Sequence, residues 1–151
     1  STFAGALSLP AVAAVRAQVT SDLAIPNGST TAIAWTAIAI ATNSSMFSTT
    51  TDPTQVKFQS TGVYLCHVGL RFNTAESTIY TVSIEDSSAT IIALSRWRGS
   101  SVAGNVTVEA TGLKYVDTLA SAPWVRVIVA VANSTNSIEN TASHFDVVKL
   151  R

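Results

Sequence analysis

The sequence predicts an all-β domain, a sandwich or barrel of about eight to ten short antiparallel strands. Two observations carry this. Apolar and polar residues alternate over one short segment after another, and clusters of Gly, Pro, Asn, Ser and Thr separate those segments. Beyond Thr20 no segment shows a convincing helical period.

The chain has 151 residues, the size of one domain, and is long enough to bury a core without covalent staples. Ala11 to Thr20 is ambiguous: its alanines suit a helix, whereas Val12, Val15 and Val19 suit a strand equally well. Phe3 to Ala17 is apolar with Arg16 as its one charge, so Ser1 to Thr20 is expected to form an ordered arm ahead of a domain spanning 21–151. Ile25-Pro26-Asn27-Gly28 is a turn, because Pro presets φ and Asn-Gly accepts positive φ. Thr30 to Ala41 then changes parity, with Ile33 and Trp35 on one side and Ile38 and Ile40 on the other, which predicts a bulge near Thr36.

Thr42 to Thr54 is a Ser/Thr/Asn-rich loop, and Val56 and Phe58 share a face of the short segment after it. The clearest strand is Val63 to Phe72. Tyr64, Cys66, Val68, Leu70 and Phe72 share its core face, and His67, Gly69 and Arg71 share the other. Tyr80, Val82 and Ile84 repeat the pattern in Thr78 to Glu85, and Ala89 to Trp97 follows before a turn at Arg98-Gly99-Ser100-Ser101. Val106 and Val108 mark a short strand ending at Thr111-Gly112. Val125, Val127, Val129 and Val131 line one face of Trp124 to Ala132, and Phe145 to Leu150 closes the domain with Phe145 in the core.

Composition limits the partners. Charged residues are 12% of the chain, about half of what soluble domains average. Such a surface favours packing against copies or partners, since few charges need desolvation there. Nine basic and nine acidic residues give a formal charge of zero, so no field draws the chain to nucleic acid or to an anionic membrane. No apolar run reaches the roughly eighteen residues of a membrane helix. The apolar start of the chain lacks the basic region of a signal peptide and carries Pro10 in its middle. Cys66 is the only cysteine, which excludes an intrachain disulfide and is expected to be a buried thiol.

The residues offer no constellation for catalysis, and neither an enzyme nor a cofactor is expected. Cys66 and His67 are adjacent, but strand neighbours point to opposite faces, so they are badly placed to form a thiolate and imidazolium pair. No G-x-S-x-G, H-E-x-x-H, C-x-x-C or P-loop sequence occurs, and the carboxylates lack calcium-loop spacing. Glycan hydrolysis would need a carboxylate pair, for which Asp86 and Glu109 are candidates by elimination alone. His144 and Asp146 share a strand face and could supply two metal ligands, although such pairs usually form a solvated polar face; no metal site is expected. Trp97 between Arg96 and Arg98 could stack on a sugar or base, against the plainer reading of an edge-strand tryptophan. Asn27, Asn43, Asn105 and Asn133 begin glycosylation-type triplets that chance supplies in so Ser/Thr-rich a chain.

Three blocks together resemble the trimeric jelly roll of the tumour-necrosis-factor superfamily and complement globular heads, in the version found in phage structural proteins. Ile25-Pro26-Asn27-Gly28 followed by Trp35-Thr36-Ala37-Ile38 resembles the opening of those modules, with a longer spacer before the tryptophan. Val56 to Leu65, through Phe58, Gly62 and Tyr64, is similar to their next strand pair, without its proline and with a shorter spacing. Phe145-Asp146-Val147-Val148-Lys149-Leu150 looks like their closing strand. The resemblance covers Ile25 to Arg151; the Gly-Asp turn expected before the penultimate strand is missing from Leu113 to Trp124, and no collagen repeat or heptad stalk precedes the domain.

The resemblance implies a jelly-roll β-sandwich and a homotrimer whose inner-sheet strands meet on a threefold axis. It also implies a place on the virion surface as a capsid decoration protein, with the shell of major capsid protein as partner. In that reading the arm clips onto the shell through Phe3, Leu7, Leu9 and Val12. The alternative is a receptor-binding head at a tail or fibre, which would take cell-surface glycan on the loops Asn43 to Thr54 and Arg96 to Gly104. Ile128, Ala130 and Ala132, opposite the valine face of their strand, are the residues expected at the trimer interface, since small uncharged side chains permit close approach around an axis.

Overall fold

The computed structural model describes residues 12–73, 78–99, 104–133, 136–140 and 142–151, and among them it contains strands and no helix. The strands are β1 (Ala14–Gln18), β2 (Leu23–Ile25), β3 (Thr30–Ala32), β4 (Ala37–Ala41), β5 (Val56–Lys57), β6 (Gly62–Asn73), β7 (Ile79–Asp86), β8 (Ile91–Arg98), β9 (Asn105–Val116), β10 (Trp124–Ala132), β11 (Asn136–Ile138) and β12 (His144–Lys149). They form a seven-stranded and a five-stranded sheet, packed face to face as a sandwich.

Register explains the larger sheet. β9 runs along one side of β6 from Gly62 opposite Val116 to Asn73 opposite Asn105. On the other side lie β12 and β11 end to end, with His144 opposite Gly69 and Ile138 opposite Phe72. β1 and β2 repeat that arrangement beside them, and β4 forms the edge beyond β1. In the smaller sheet β10 is central, with β7 and then β8 on one side and β3 and β5 on the other.

Strict alternation places the core. Tyr64, Cys66, Val68, Leu70 and Phe72 of β6 and Phe145 and Val147 of β12 face Val125, Val127 and Val129 of β10 across the sandwich, all at 0% exposure. Each such side chain contributes about 1.5–3 kcal/mol by leaving water. Aromatic rings stitch the two sheets together: Phe72 lies 4.5 Å from Tyr80 of β7, and Trp35 stacks on Phe145 at 6.0 Å. One ion pair also crosses the interior, from Asp86 at the end of β7 to Lys114 of β9, at 2.6 Å.

The turn at Pro26-Asn27-Gly28 forms as the sequence predicts, with Gly28 at φ 73° and β3 directly after it. Four expectations change. The ambiguity of the segment ending at Thr20 is settled in favour of a strand, because Ala14–Gln18 pairs on both sides and buries Val15 and Ala17. An arm ending at Thr20 is therefore too long, because β1 belongs to the sandwich. The parity change near Thr36 is a crossover rather than a bulge, since Thr30–Ala32 pairs in the smaller sheet and Ala37–Ala41 in the larger. Thr111-Gly112 is not a turn, for β9 runs straight through it. A Cβ at Gly112 would come 2.3 Å from the Ile92 carbonyl oxygen, so glycine is there to let β8 pass close over β9. Ser100 and Ser101, in the turn predicted after Arg98, lie outside the described residues.

Candidate interaction surface

The outer face of the seven-stranded sheet is built from the residues that alternate with the core. Reading the registers across β9, β6, β12, β1 and β4 gives rows of neighbours. Tyr115 lies beside Val63 at one end. Next come Leu113, Leu65, Val148 and Ala14. Then follow Thr111, His67, Asp146, Arg16 and Ile40. The last row is Glu109, Gly69, His144 and Gln18. Two apolar rows thus adjoin two polar ones. Tyr115 is 67% exposed, Leu113 60% and Ile40 51%, unusual values for large apolar side chains within strands. A hollow of about 260 Å³ opens between β1, β4, β6 and β12, floored by Leu65, Val148 and Ile40 and edged by Arg16 and Asp146.

The polar rows are internally paired. Arg16 grips Asp146 with two hydrogen bonds, of 2.6 and 2.8 Å. His67 Nδ1 is 2.7 Å from the Thr111 hydroxyl, its Nε2 is 3.8 Å from Glu109, and its ring lies 5.5 Å from that of His144. His144 and Asp146 share a face as expected, 3.6 Å apart, but Asp146 is committed to Arg16. Among the described residues no group of three His, Cys, Asp or Glu side chains is arranged to hold a metal.

The other residues singled out from the sequence are dispersed. Cys66 points into the core while His67 points out, and burial pushes the thiol up to about 12. Asp86 faces the interior and Glu109 stands on the outer face, with its side chain 61% exposed, so these carboxylates share no cleft. Trp97 is half-buried against Tyr80 at 5.7 Å, while Arg96 and Arg98 on the opposite face border a hollow of about 320 Å³. Ile128, Ala130 and Ala132 are half-buried on the outer face of the five-stranded sheet, where Ile128 lies level with Ser83 and Leu94. Val12 is 55% exposed just before β1; Phe3, Leu7 and Leu9 lie outside the described residues. Tyr64, Val68, Leu70, Phe72 and Phe145 are fully buried.

Sequence reasoning missed the apolar rows. Val63 and Leu65 on β6 and Leu113 and Tyr115 on β9 each carry the period-two signal of an exposed face, and only the pairing of β6 with β9 joins them into one surface.

No protein-family model matches the chain, and no curated protein matches it. Solved structures do. Murine APRIL at pH 5.0 superposes with a TM-score of 0.69 at 15% identity, over 93% of this chain and 100% of the other. Eiger TNF from S. frugiperda gives 0.66 at 13% identity, over 93% of both chains, and murine APRIL at pH 8.0 gives 0.64 at 16%, over 93% of this chain and 100% of the other. At such identities the likeness concerns architecture, and the architecture of this chain is a tumour-necrosis-factor-like jelly roll.

Proposed function

We propose that the protein is a non-enzymatic structural component of a phage virion, a homotrimer that decorates the outer surface of the head on a shell of major capsid protein. The observation that carries the self-association is the uncovered apolar half of the seven-stranded sheet, centred on Leu65, Leu113 and Val148. A monomer would leave those side chains in water, whereas copies packed on them would remove them from it. The small number of charges supports the same reading, and the resemblance of the sequence blocks to phage modules supports the virion setting. The face through Ile128, Ala130 and Ala132 is the competing contact, with Leu94 and Ile91 of β8 as its large exposed neighbours, but its own strand offers one large apolar residue.

Light scattering coupled to gel filtration tests the assembly. The native protein should elute at three times its 15.8 kDa chain mass. Leu65→Asp should elute as a monomer, because a carboxylate would be buried beside its copies. Ile128→Asp should remain trimeric. The reverse pattern would move the contact to the five-stranded sheet. Co-sedimentation with capsids tests the setting: the trimer should pellet with shells, and removing residues 1–11 should leave it in the supernatant. A truncated protein that still saturates the shell would refute the role given to the arm.

A second reading, an acidic-glycan-binding head, draws on the hollow beside Arg96 and Arg98, since among the described residues neither guanidinium has a carboxylate partner. Binding to an array of acidic glycans that disappears in Arg96→Ala/Arg98→Ala would favour it over decoration.

A further inference from the structure

On the outer face of the five-stranded sheet the register sets out two short rows. Arg98 of β8 lies beside Ile79 of β7 and Ala132 of β10, and Arg96 lies beside Thr81, Ala130 and then Thr30 of β3. Two residues apart on one strand, the arginines stand on the same side with about 7 Å of backbone between them. Both are exposed. The hollow of about 320 Å³ opens beside them, with Ile79 and Trp97 completing its lining.

Charge sets this hollow apart. Arg16, Lys57, Arg71, Lys114 and Arg126 each sit on a carboxylate of the chain, whereas among the described residues Arg96 and Arg98 sit on none. Two like charges held side by side repel, and an anion placed between them removes the repulsion and accepts a hydrogen bond from each. A second copy presenting the same face would bring arginine against arginine, and the carboxylate of that face, Glu85, is already held by Arg126. The anion therefore belongs to a ligand. A hollow of this size is too large for one inorganic ion to fill, and the apolar side chain of Ile79 gives nothing to a free phosphate. It does pack on the C–H face of a pyranose ring, and Thr81, next to it on the same face of β7, offers a hydroxyl within reach of the ring's own.

We propose that the hollow at Arg96 and Arg98 is a subsite for a uronic-acid sugar, its carboxylate clamped by both guanidiniums and its ring laid on Ile79 beside Thr81. This rests on the acidic-glycan reading and names the group which that site takes. The planar carboxylate matches the guanidinium fork, so the clamp fixes the orientation of the ring as well as its charge. Further along the same rows Ala130 and Ala132 are small, about 10 Å from the arginines across two strand spacings, and leave room for a neutral sugar linked to the acidic one.

Trp97 borders the hollow, so its fluorescence reports on the site. Methyl β-D-glucuronide titrated into the native protein should change the emission saturably, and Trp97→Phe should abolish the change. Neutral methyl β-D-glucoside and inorganic phosphate should each bind at least about tenfold more weakly, as follows from losing the charge-assisted bonds or the ring contact. Arg98→Gln should weaken the glucuronide by a similar factor, and Arg98→Lys should not restore it, because an ammonium keeps the charge and loses the fork. Phosphate that binds as tightly as the glucuronide would show a plain anion site and overturn the proposal. So would a glucuronide response that survives Arg96→Gln/Arg98→Gln. Acidic-glycan binding on an array that needs both arginines, with no glucuronide response by fluorescence or calorimetry, would overturn this subsite and leave the acidic-glycan reading standing. A blank array would overturn both.

Discussion

Lys114→Met should destabilise the protein by about 3 kcal/mol, the low end of what breaking a buried ion pair costs. The Lys114 ammonium lies 2.6 Å from Asp86, whose side chain is only 4% exposed. Asp86 also accepts the backbone N–H groups of Ser88 and Thr90, at 2.9 and 3.0 Å, and these bonds survive the substitution, which is why the low end applies. Burial alone would push the Asp86 carboxyl up, but the Lys114 hydrogen bond and charge, together with those two N–H groups, outweigh it and hold the group below its ordinary value. A carboxyl lowered by folding contributes stability that is complete above its unfolded value of about 4 and is lost as pH falls through the folded value. In Lys114→Met burial is opposed only by the N–H groups, so much of that acid-side loss should vanish and the two proteins should converge as pH falls below about 4. Urea unfolding at one fixed protein concentration measures both quantities, since an associating protein gains apparent stability with concentration. Adding Asp86→Asn should recover most of the loss, because an amide oxygen still caps Ser88 and Thr90 without a charge. A loss at pH 7 below about 1 kcal/mol, the worth of an exposed pair, would refute the reasoning.

Gly112→Val should unfold the protein or leave it aggregated, because its side chain would enter the space of the Ile92 carbonyl; a soluble variant with native circular dichroism would show that β8 can lift away. Val127→Ala, at 0% exposure in the middle of β10, should cost about 2–3 kcal/mol in urea unfolding. Asn136→Leu should cost about 1–3 kcal/mol in urea unfolding, since it removes a buried amide that donates to the Tyr80 hydroxyl at 2.8 Å and accepts from the Ser137 N–H at 3.0 Å.

What the sequence made legible was whatever depends on one strand alone. β6 and β10 were readable because a strand covered on one face must alternate, and Tyr64 to Phe72 and Val125 to Val131 send every second side chain into the core. β1 was ambiguous because alanine carries little β preference and a five-residue strand is too short to display a period. Gly112 resembled a turn because glycine marks both turns and close backbone approaches, and only the position of Ile92 separates them. The parity change at Thr36 was visible, but a bulge and a change of sheet leave the same trace in one dimension. The interaction face was the least legible part. Its members lie far apart in the chain, Arg16 being 130 residues from Asp146, and they become neighbours only through register.

The placement of β12 has a consequence for how the chain reaches this state. It is the last strand in sequence, yet it lies inside the larger sheet, hydrogen-bonded to β6 on one side and to β1 on the other. Until it arrives, β1 and β4 have no link to β6, so half of that sheet waits for β12. A nascent chain extruded through β10 holds all five strands of the smaller sheet, with the apolar residues Val15 and Ala17 still seeking cover. Closure then joins segments about 130 residues apart, a long-range pairing that is slow to find and exposes unpaired edges meanwhile. Synthesis is therefore the stage at which this protein is most open to capture by chaperones, or to pairing with the wrong copy of itself.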